Sequence, residues 1–355
     1  MKIKENIKKA IRVFGYPVRY YRRKKKKIDS EELGLDLIDL HFSPPKSAAE
    51  IKKYIRVLSK LNISWVRVSF DWYSFRKNRK NYFSLMNKLI DSLKSENFDI
   101  LGVICNIVPG NFLNMISPNK NLYLPPIDYF QDFLDFTKKI VIYYKKKIKH
   151  WEFMNEPDTK RHWIYEPNPK SYKEMLKSAY MNIKEIDSNL KVISGGLAEI
   201  GLNLDPKSKF HSPYLKELIS LGFSDYCDII GIHVWPLSSY IGLSFEPSFY
   251  AKEIIKKTKT IVGFIKKSHI NRDIWITETG INPMWSLLNE KRASESYQLV
   301  IEKLFGFNII KKIFIFNFRD FPNKKYEFFN PDPYFGLVSK DYKIKESANF
   351  LINKK

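Results

Sequence analysis

The sequence is poor in cysteine and glycine and has no long apolar run. Its 355 residues include only 2 Cys and 14 Gly, which excludes a disulfide scaffold and a glycine-rich fibrous or low-complexity chain. No apolar stretch reaches the length of a membrane-spanning helix, and closely spaced lysines interrupt the first ten residues, so no secretory signal peptide is expected. We therefore expect a cytoplasmic protein in which Cys105 and Cys227 are reduced, buried side chains.

Acidic residues are few relative to basic ones. The chain has 61 Lys and Arg against 38 Asp and Glu, a net charge of +23. Residues 1–27 hold 12 of these cations and a single acid, Glu5, so that this short segment carries about half of the excess charge.

Residues 1–32 are predicted to form a basic extension. Apolar residues recur at helical spacing along one face, at Ile3, Ile7, Ala10, Ile11 and Phe14, and six consecutive cations occupy Arg22–Lys27. This pattern is typical of an amphipathic helix on the inner face of an anionic membrane. It fits a solvated tail equally well. Nucleic acid is not an expected partner, because no recognition motif accompanies the charge.

From residue 33 onward, β-rich runs alternate with amphipathic helical stretches. The predicted strands are Gly34–His41, Trp65–Phe70, Ile100–Cys105, His150–Met154, Lys191–Ser194, Asp228–Val234, Ile274–Thr277 and Ile313–Phe318. The predicted helices are Ala48–Leu61, Phe83–Leu93, Tyr129–Tyr144, Ser171–Ile186, Pro213–Leu221, Tyr250–Lys267, Ser294–Phe305 and Glu346–Ile352.

Eight strand-then-helix units predict an α/β fold, a single-domain (β/α)8 TIM barrel over residues 33–355. A doubly wound sheet is the second choice, and the Gly-rich first turn that it favours is missing. In a barrel, chemistry is expected at the carboxyl ends of the strands.

Two predicted strands end in a glutamate. Glu156 lies in Asn155-Glu156-Pro157 after strand 4, and Glu278 lies in Thr277-Glu278-Thr279 at strand 7. Carboxylates are costly to bury singly. Two that face each other across a barrel mouth suit hydrolysis of a glycosidic bond, in which one carboxyl donates a proton and the other is an ionised nucleophile.

The chain resembles clan A glycoside hydrolases, most closely family 39 and related enzymes of exopolysaccharide gene clusters. The resemblance rests on the segments 151–158, 162–163, 191–196, 227–233 and 335–338. It implies that Glu156 is the general acid/base and Glu278 the nucleophile, and that Asn155 binds the sugar 2-hydroxyl. It also implies that Arg67 steadies Glu278 and keeps it ionised; a core ion pair between Arg67 and Glu152 is an equally supported and compatible alternative.

Further candidates lie near predicted strand ends. His41 and His233, at the ends of strands 1 and 6, are expected to contact substrate or glutamate, and Asp320 after strand 8 to bind a hydroxyl or cap a helix. Four tryptophans in predicted loops could stack on sugar rings or, equally, pack within the loops: Trp72, Trp163 and, as the better candidates for stacking, Trp235 and Trp285. No closely spaced His/Cys/acid cluster is present, so no metal or other cofactor is expected.

The combined prediction is a retaining glycosidase. It would hydrolyse O-glycosidic bonds, β-linked in most relatives, of an oligo- or polysaccharide, with a role in surface polysaccharide metabolism. The alternatives are a non-catalytic glycan-binding or scaffold barrel in polysaccharide assembly, and a transglycosidase that uses the same site.

Overall fold

The computed structural model describes most of the predicted barrel. The described residues are 30–45, 47–105, 127–163, 165–198, 213–236, 246–283, 288–322 and 332–352. The basic extension up to residue 29 and the candidate Trp285 lie outside the described residues.

Eight parallel strands close into one barrel. They are β1 (Leu33–Asp36), β2 (Trp65–Asp71), β3 (Asp99–Cys105), β4 (His150–Phe153), β5 (Lys191–Ser194), β6 (Ile229–His233), β7 (Asp273–Thr279) and β8 (Ile310–Ile315). Each strand pairs with the next, and β8 returns to β1, where Leu35 is in register with Ile315. The TIM-barrel prediction is confirmed, and the doubly wound alternative is wrong.

Helices cover the outside of the barrel. They are α1 (Asp39–Phe42), α2 (Ala48–Leu58), α3 (Trp72–Lys77), α4 (Arg79–Ser95), α5 (Phe130–Tyr144), α6 (Lys160–Trp163), α7 (Pro169–Ile186), α8 (Pro213–Ser220), α9 (Pro247–Lys267) and α10 (Glu290–Leu304). Side-chain caps begin several of them: Ser47, Asp71, Asn78, Asn168 and Asn289 each accept from a backbone N–H of the first turn. Among the described helices, none is long and apolar enough to cross a membrane.

The first predicted strand and the last predicted helix differ from the structure. The expected strand Gly34–His41 stops at Asp36, because the buried Asp39 accepts from Tyr54 Oη (2.9 Å) and Arg319 Nε (3.1 Å) and the chain turns into α1. The expected helix Glu346–Ile352 is only a 3-10 turn, Glu346–Ala348, with bonds between residues three apart.

The amino-terminal end of the barrel is closed by aromatic and aliphatic side chains. This layer consists of Trp65, Leu101, Ile193, Ile229, Trp275 and Phe314. The Trp65 and Trp275 rings meet edge to face at 5.2 Å, and His150 stacks on Trp275 at 5.1 Å. Burial lowers the pKa of His150 to about 4, so its imidazole is neutral at neutral pH. This end of the barrel is therefore a packed, uncharged layer.

Candidate active site

The two predicted catalytic carboxylates face each other at the carboxyl end of the barrel. Glu156 follows β4, and Glu278 is near the end of β7, with side chains 14% and 8% exposed. Their nearest carboxylate oxygens lie within 4.8 Å of each other, and a nitrogen of His233 lies within the same distance of both. Both carboxylates are therefore mostly buried and close enough to act on one bond.

Arg67 is buried beneath this pair and contacts three carboxylates. Its Nη1 donates to Glu278 Oε1 (2.6 Å) and to Asp36, and its Nε donates to Glu152 Oε2 (2.7 Å). The two interpretations of Arg67 from the sequence are thus both realised: it is a core ion pair with Glu152 and a support for Glu278. The remaining nitrogen, Nη2, donates to Asn155 Oδ1 at 2.6 Å.

Two histidines flank Glu156, one on each oxygen. His233 Nδ1 lies 2.9 Å from Glu156 Oε1 and 3.4 Å from Glu278 Oε2, so it connects the two carboxylates. His162 of α6, 7% exposed, lies 3.4 Å from Glu156 Oε2 through Nε2, and the same nitrogen is 3.1 Å from Asn155 Nδ2. Glu156 is therefore held between imidazoles from β6 and α6.

The backbone at the end of β4 is strained. Met154 and Glu156 both have left-handed φ values, 67° and 44°, which cost non-glycine residues on the order of 1 kcal/mol or more. Hydrogen bonds from Met154 N to Ile104 O (2.8 Å) and from Glu156 N to Gly196 O (3.1 Å) hold the segment. Because such strain gathers at functional sites, it supports a role for this turn.

Gly196 leaves the space that His233 occupies. A Cβ at this position would overlap the His233 ring and lie 2.7 Å from Thr277 Oγ1. Its N–H donates to Glu152 Oε1 at 2.9 Å, and Thr277 Oγ1 donates to the same oxygen at 3.1 Å. Glycine is required here, since a side chain would displace the imidazole between the two carboxylates.

The carboxylate pair binds a proton at neutral pH. Burial raises the pKa of Glu278 to about 8, against the opposing effect of His233 and Arg67. Burial also raises the pKa of Glu156, but its contacts with His162 and His233 outweigh burial and hold that pKa well below its usual range. The expectation that Arg67 keeps Glu278 ionised is thus not met in the free site, because burial has the larger effect.

Trp235 is the predicted tryptophan that lies at the mouth. It follows Val234, whose N–H bonds Glu278 O at 3.0 Å. Its half-buried ring packs edge to face against Phe316 and Phe335, at 5.2 and 5.3 Å. Phe316 and Phe335 are only 8% and 1% exposed, so they back the Trp235 ring rather than line the site.

Other predicted candidates lie elsewhere or have structural partners. His41 is in α1 rather than at the end of β1, and it lines a cavity of about 150 Å³ between α1, α2 and α4. Asp320 accepts from Gly336 N (2.9 Å) and Lys345 Nζ (3.2 Å), which ties the segment after β8 to the C-terminal part of the chain. Trp72 and Trp163 lie in short helices rather than loops and are each 2% exposed, which favours the packing role over stacking on a sugar.

Sequence reasoning missed two residues of the site. Asp36 was not singled out because the first strand was expected to continue to His41, which hid its position at a strand end. His162 lies in a segment already linked to the family resemblance, but its spacing of six residues from Glu156 carries no signal for contact without α6.

A metal site is geometrically conceivable at this position. Glu156, His233 and Glu278 each offer one donor atom, all within 4.8 Å of one another. However, Glu278 Oε1 already faces the Arg67 guanidinium, and His233 Nδ1 already faces both carboxylates. The donor set is thus arranged for proton sharing, and the expectation of no metal stays a prediction.

Comparison with solved structures supports the fold, whereas comparison of the sequence with protein families and curated proteins finds no match. The chain matches no protein-family model and no curated protein. Its barrel is similar to those of glycoside hydrolases. A family 39 glycoside hydrolase from Bacteroides cellulosilyticus WH2 superposes with a TM-score of 0.61 over 92% of this chain and 65% of that protein, at 18% identity.

Other glycosidase structures are also similar to this barrel at low sequence identity. A GH5_18 protein from Bifidobacterium longum subsp. infantis gives a TM-score of 0.63 at 13% identity, over 91% of this chain and 77% of that one. A β-glucosidase from Thermotoga maritima gives 0.59 at 13% identity, over 93% and 98%. The chain spans only 50–65% of the length of four of the similar structures. The resemblance to clan A glycoside hydrolases is thereby confirmed for the fold.

Proposed function

We propose that the protein is a retaining glycoside hydrolase in which Glu156 is the acid/base and Glu278 the nucleophile. The observation that carries the proposal is the approach of their carboxylate oxygens to within 4.8 Å. Retaining glycosidases hold the two carboxyl groups about 5–5.5 Å apart, whereas inverting enzymes leave about 6.5–9.5 Å for a water molecule. The separation in this site therefore favours direct attack by a carboxylate.

The first step transfers the glycosyl group to Glu278. Arg67 binds Oε1 of this residue, so Oε2 is the oxygen that attacks the anomeric carbon. As the C–O bond to the leaving group breaks, its electron pair goes to the leaving oxygen, which takes the proton of Glu156. In the second step, Glu156 removes a proton from water, which attacks the anomeric carbon and releases Glu278.

Loss of the proton from Glu278 precedes attack. The raised pKa of this group shows that the free pair holds a proton, and the mechanism needs that proton on Glu156. His233 Nδ1 lies near an oxygen of each carboxylate and can donate its hydrogen to whichever of them is ionised. Productive binding of a sugar would therefore be coupled to the ionisation of Glu278.

The surrounding residues suit a pyranose. Asn155 Nδ2 has a second hydrogen, besides the one directed at His162, that could bind the sugar 2-hydroxyl. The half-buried ring of Trp235, which packs against Phe316 and Phe335, offers apolar contact to a sugar ring. We propose an oligo- or polysaccharide substrate with β-linkages and a role in surface polysaccharide metabolism, both from the family resemblance.

Covalent trapping tests the proposal. The full chain would be incubated with a panel of 2-deoxy-2-fluoro glycosides that carry good leaving groups, and intact mass and peptide mapping would locate the adduct. We expect a glycosyl adduct on Glu278, absent in Glu278→Gln. An adduct on another carboxylate would contradict the site assignment. Glycan binding without any adduct across the panel would favour a non-catalytic glycan-binding or scaffold barrel.

Glu156→Gln separates the acid from the nucleophile. We expect a loss of about 10²–10⁴-fold for leaving groups that need protonation, and much less for dinitrophenyl glycosides. Unchanged turnover of both substrate types would contradict the assignment of Glu156. Product analysis with added sugar acceptors then distinguishes hydrolysis from transglycosylation, because a transglycosidase would transfer the glycosyl group to the acceptor rather than to water.

For the basic extension, we propose peripheral binding to an anionic membrane beside the catalytic domain 33–355. The net charge of residues 1–27 supports this. Co-sedimentation of the full chain with phosphatidylserine vesicles, compared with phosphatidylcholine vesicles, tests it. We expect binding to the anionic vesicles alone, weakened by salt and lost when Arg22–Lys27 are replaced by glutamine.

A further inference from the structure

The cavity between α1, α2 and α4 has a volume of about 150 Å³ and lies against the outer face of the barrel. Its wall on the barrel side includes Val68 of β2. The preceding residue, Arg67, contacts the carboxylates inside the barrel, and successive side chains of a strand point to opposite faces. None of the residues that line the cavity belongs to the glutamate pair or its partners, so the cavity is separate from the candidate active site.

The lining of the cavity is mostly apolar. One face of α4 contributes Leu85, Met86 and Leu89, and α2 contributes Ile51. A buried water molecule needs about two to four polar partners, which aliphatic side chains do not provide. An apolar cavity of similar volume in another protein stays dry and binds benzene. The volume and the lining therefore suit a molecule with a single six-membered ring.

Tyr82 of α4 adds a hydroxyl group to this lining. Its Oη is buried and has no hydrogen-bond partner among the residues that the structure describes. Asp71, which also lines the cavity, accepts from Ser74 N at 2.9 Å and caps α3. A buried hydroxyl group without a partner is unfavourable. A ligand that carries a hydrogen-bonding atom would therefore gain affinity from contact with Tyr82.

A second pocket, of about 170 Å³, adjoins the cavity between α2 and α4. Pro45, Ile51 and Leu85 line both spaces. The lining of the second pocket also includes the exposed residues Asn81 and Lys88. A small molecule can therefore reach the cavity from the protein surface without passing through the barrel mouth.

We propose that the cavity binds a small uncharged molecule, about the size of one six-membered ring, whose hydroxyl group bonds to Tyr82 Oη. Among the described residues that line the cavity there is no Lys or Arg, so a buried anion would have no cation to pair with. Asp71 disfavours an anion further. The site does not depend on the proposed glycosidase activity.

The first test locates the ligand with phenol as the probe. The full chain, labelled with ¹³C-methyl methionine, would be titrated with phenol and followed by NMR, with Met86 assigned by its loss in Met86→Leu. We expect a saturable shift of the Met86 methyl signal. Leu85→Phe, whose larger side chain fills the cavity, should abolish the shift. Phenyl phosphate, which has the same ring and a charge, should not bind. No saturable shift in the parent would overturn the proposal.

The second test isolates the hydroxyl group of Tyr82. Calorimetry would compare the affinities of phenol and toluene for the parent and for Tyr82→Phe. We expect the ratio of phenol affinity to toluene affinity to fall by about tenfold in the variant, because one hydrogen bond is lost. An unchanged ratio would contradict the contact with Tyr82. This test remains valid if Leu85→Phe does not fold.

Tyr54→Phe is the matched control, since Tyr54 Oη has a partner and donates to Asp39 at 2.9 Å. It should lower the unfolding temperature and leave the affinity ratio unchanged. Tyr82→Phe should unfold at the same temperature as the parent or higher, because its hydroxyl group has no bond to lose. A lower unfolding temperature of Tyr82→Phe would contradict the unpartnered hydroxyl group on which the proposal depends.

Binding of phenol at the catalytic mouth is a separate outcome. The Met86 shift should persist in Trp235→Ala, which removes the aromatic ring at the mouth. If that variant abolished the shift, the ligand would be bound at the mouth, and the proposal would be refuted.

Discussion

The side chains at the two ends of the barrel are mostly buried, but they are apolar at one end and charged at the other. The amino-terminal end is a layer of aromatic and aliphatic side chains around Trp65 and Trp275, with the neutral His150 stacked on it. The carboxyl end holds Arg67 among three carboxylates. Packing stabilises the first end at any pH near neutrality, whereas the second depends on which groups are ionised.

The difference shows where the fold accepts an energetic cost. Buried ion pairs contribute little net stability compared with apolar packing, but removing one partner is strongly destabilising. The apolar end therefore provides stability, while the charged end provides a set of carboxyl groups whose protonation is poised for chemistry. Each of the following predictions tests one side of this contrast.

The largest effect is expected for Arg67→Met. It leaves Asp36, Glu152 and Glu278 buried without their cation, which should cost on the order of 5 kcal/mol at pH 7. Because protonation removes the repulsion, the variant should regain part of its stability on mild acidification. Urea unfolding at pH 5 and pH 7 measures both; equal stability of the variant and the parent at pH 7 would contradict the argument.

Trp275→Ala tests the apolar end. The cavity should cost about 3–4 kcal/mol at pH 7. The loss should be smaller at pH 5, because His150, which stacks on this ring, becomes less buried and easier to protonate. Urea unfolding at the two pH values provides the comparison with Arg67→Met. The folded variant should still form the covalent adduct, and loss of the adduct from well-folded protein would show that the two ends are not independent.

The two ends should also respond to pH in opposite directions. The unfolded chain protonates His150 below about pH 6.5, but the folded chain does so only near pH 4, so stability falls as pH drops through this window. His150→Phe should remove on the order of 2 kcal/mol of this pH dependence. Chemical unfolding at pH 7 and pH 5 measures it; an unaltered pH dependence would show that His150 is already charged in the folded chain.

At the carboxyl end the sign is reversed. The folded pair, with the pKa of Glu278 raised to about 8, keeps a proton that the unfolded chain loses above about pH 4.5, so stability falls as pH rises between these values. Glu278→Gln, which is neutral throughout, should flatten this part of the curve by on the order of 2 kcal/mol. A curve identical to that of the parent in unfolding experiments between pH 5 and 8 would contradict a shared buried proton.

The smallest effect is expected for Lys312→Met. Lys312 Nζ lies 4.9 Å from the centre of the Trp65 ring, a cation–π contact at the edge of the apolar layer. Its loss should cost about 0.5–1 kcal/mol and leave the rate of adduct formation unchanged. A thermal unfolding scan is sufficient, and a change in adduct formation would indicate coupling across the barrel.

Most of the barrel was predictable from local pattern. Strands β2 to β7 are apolar runs flanked by polar residues, and the structure reproduces them within about two residues at either end. Both glutamates were found because glutamate is depleted in strands and costly to bury unpaired. The prediction for the segment after β1 was wrong, because its alternating Leu, Asp and Ile pattern is typical of a strand. The helix that it forms instead depends on contacts of Asp39 with Tyr54 and the distant Arg319.

Side-chain environment was the part that the sequence could not provide. Trp163 follows β4 and Trp235 follows β6, but Trp163 is buried at the end of α6, whereas Trp235 is half-buried. The protonation of Glu278 likewise depends on burial, which outweighs the Arg67 contact that the family resemblance emphasised. Both outcomes are set by long-range packing rather than by any local motif.

The left-handed backbone at Met154 and Glu156 has a consequence for engineering. Glycine adopts these angles without strain, so a screen that rewards heat tolerance alone would enrich glycine at position 156 and discard the carboxyl group. Directed evolution of this barrel toward robustness should therefore hold position 156 constant. Position 154 does not offer the same gain, because Met154 is 2% exposed in the core and its removal would leave a cavity.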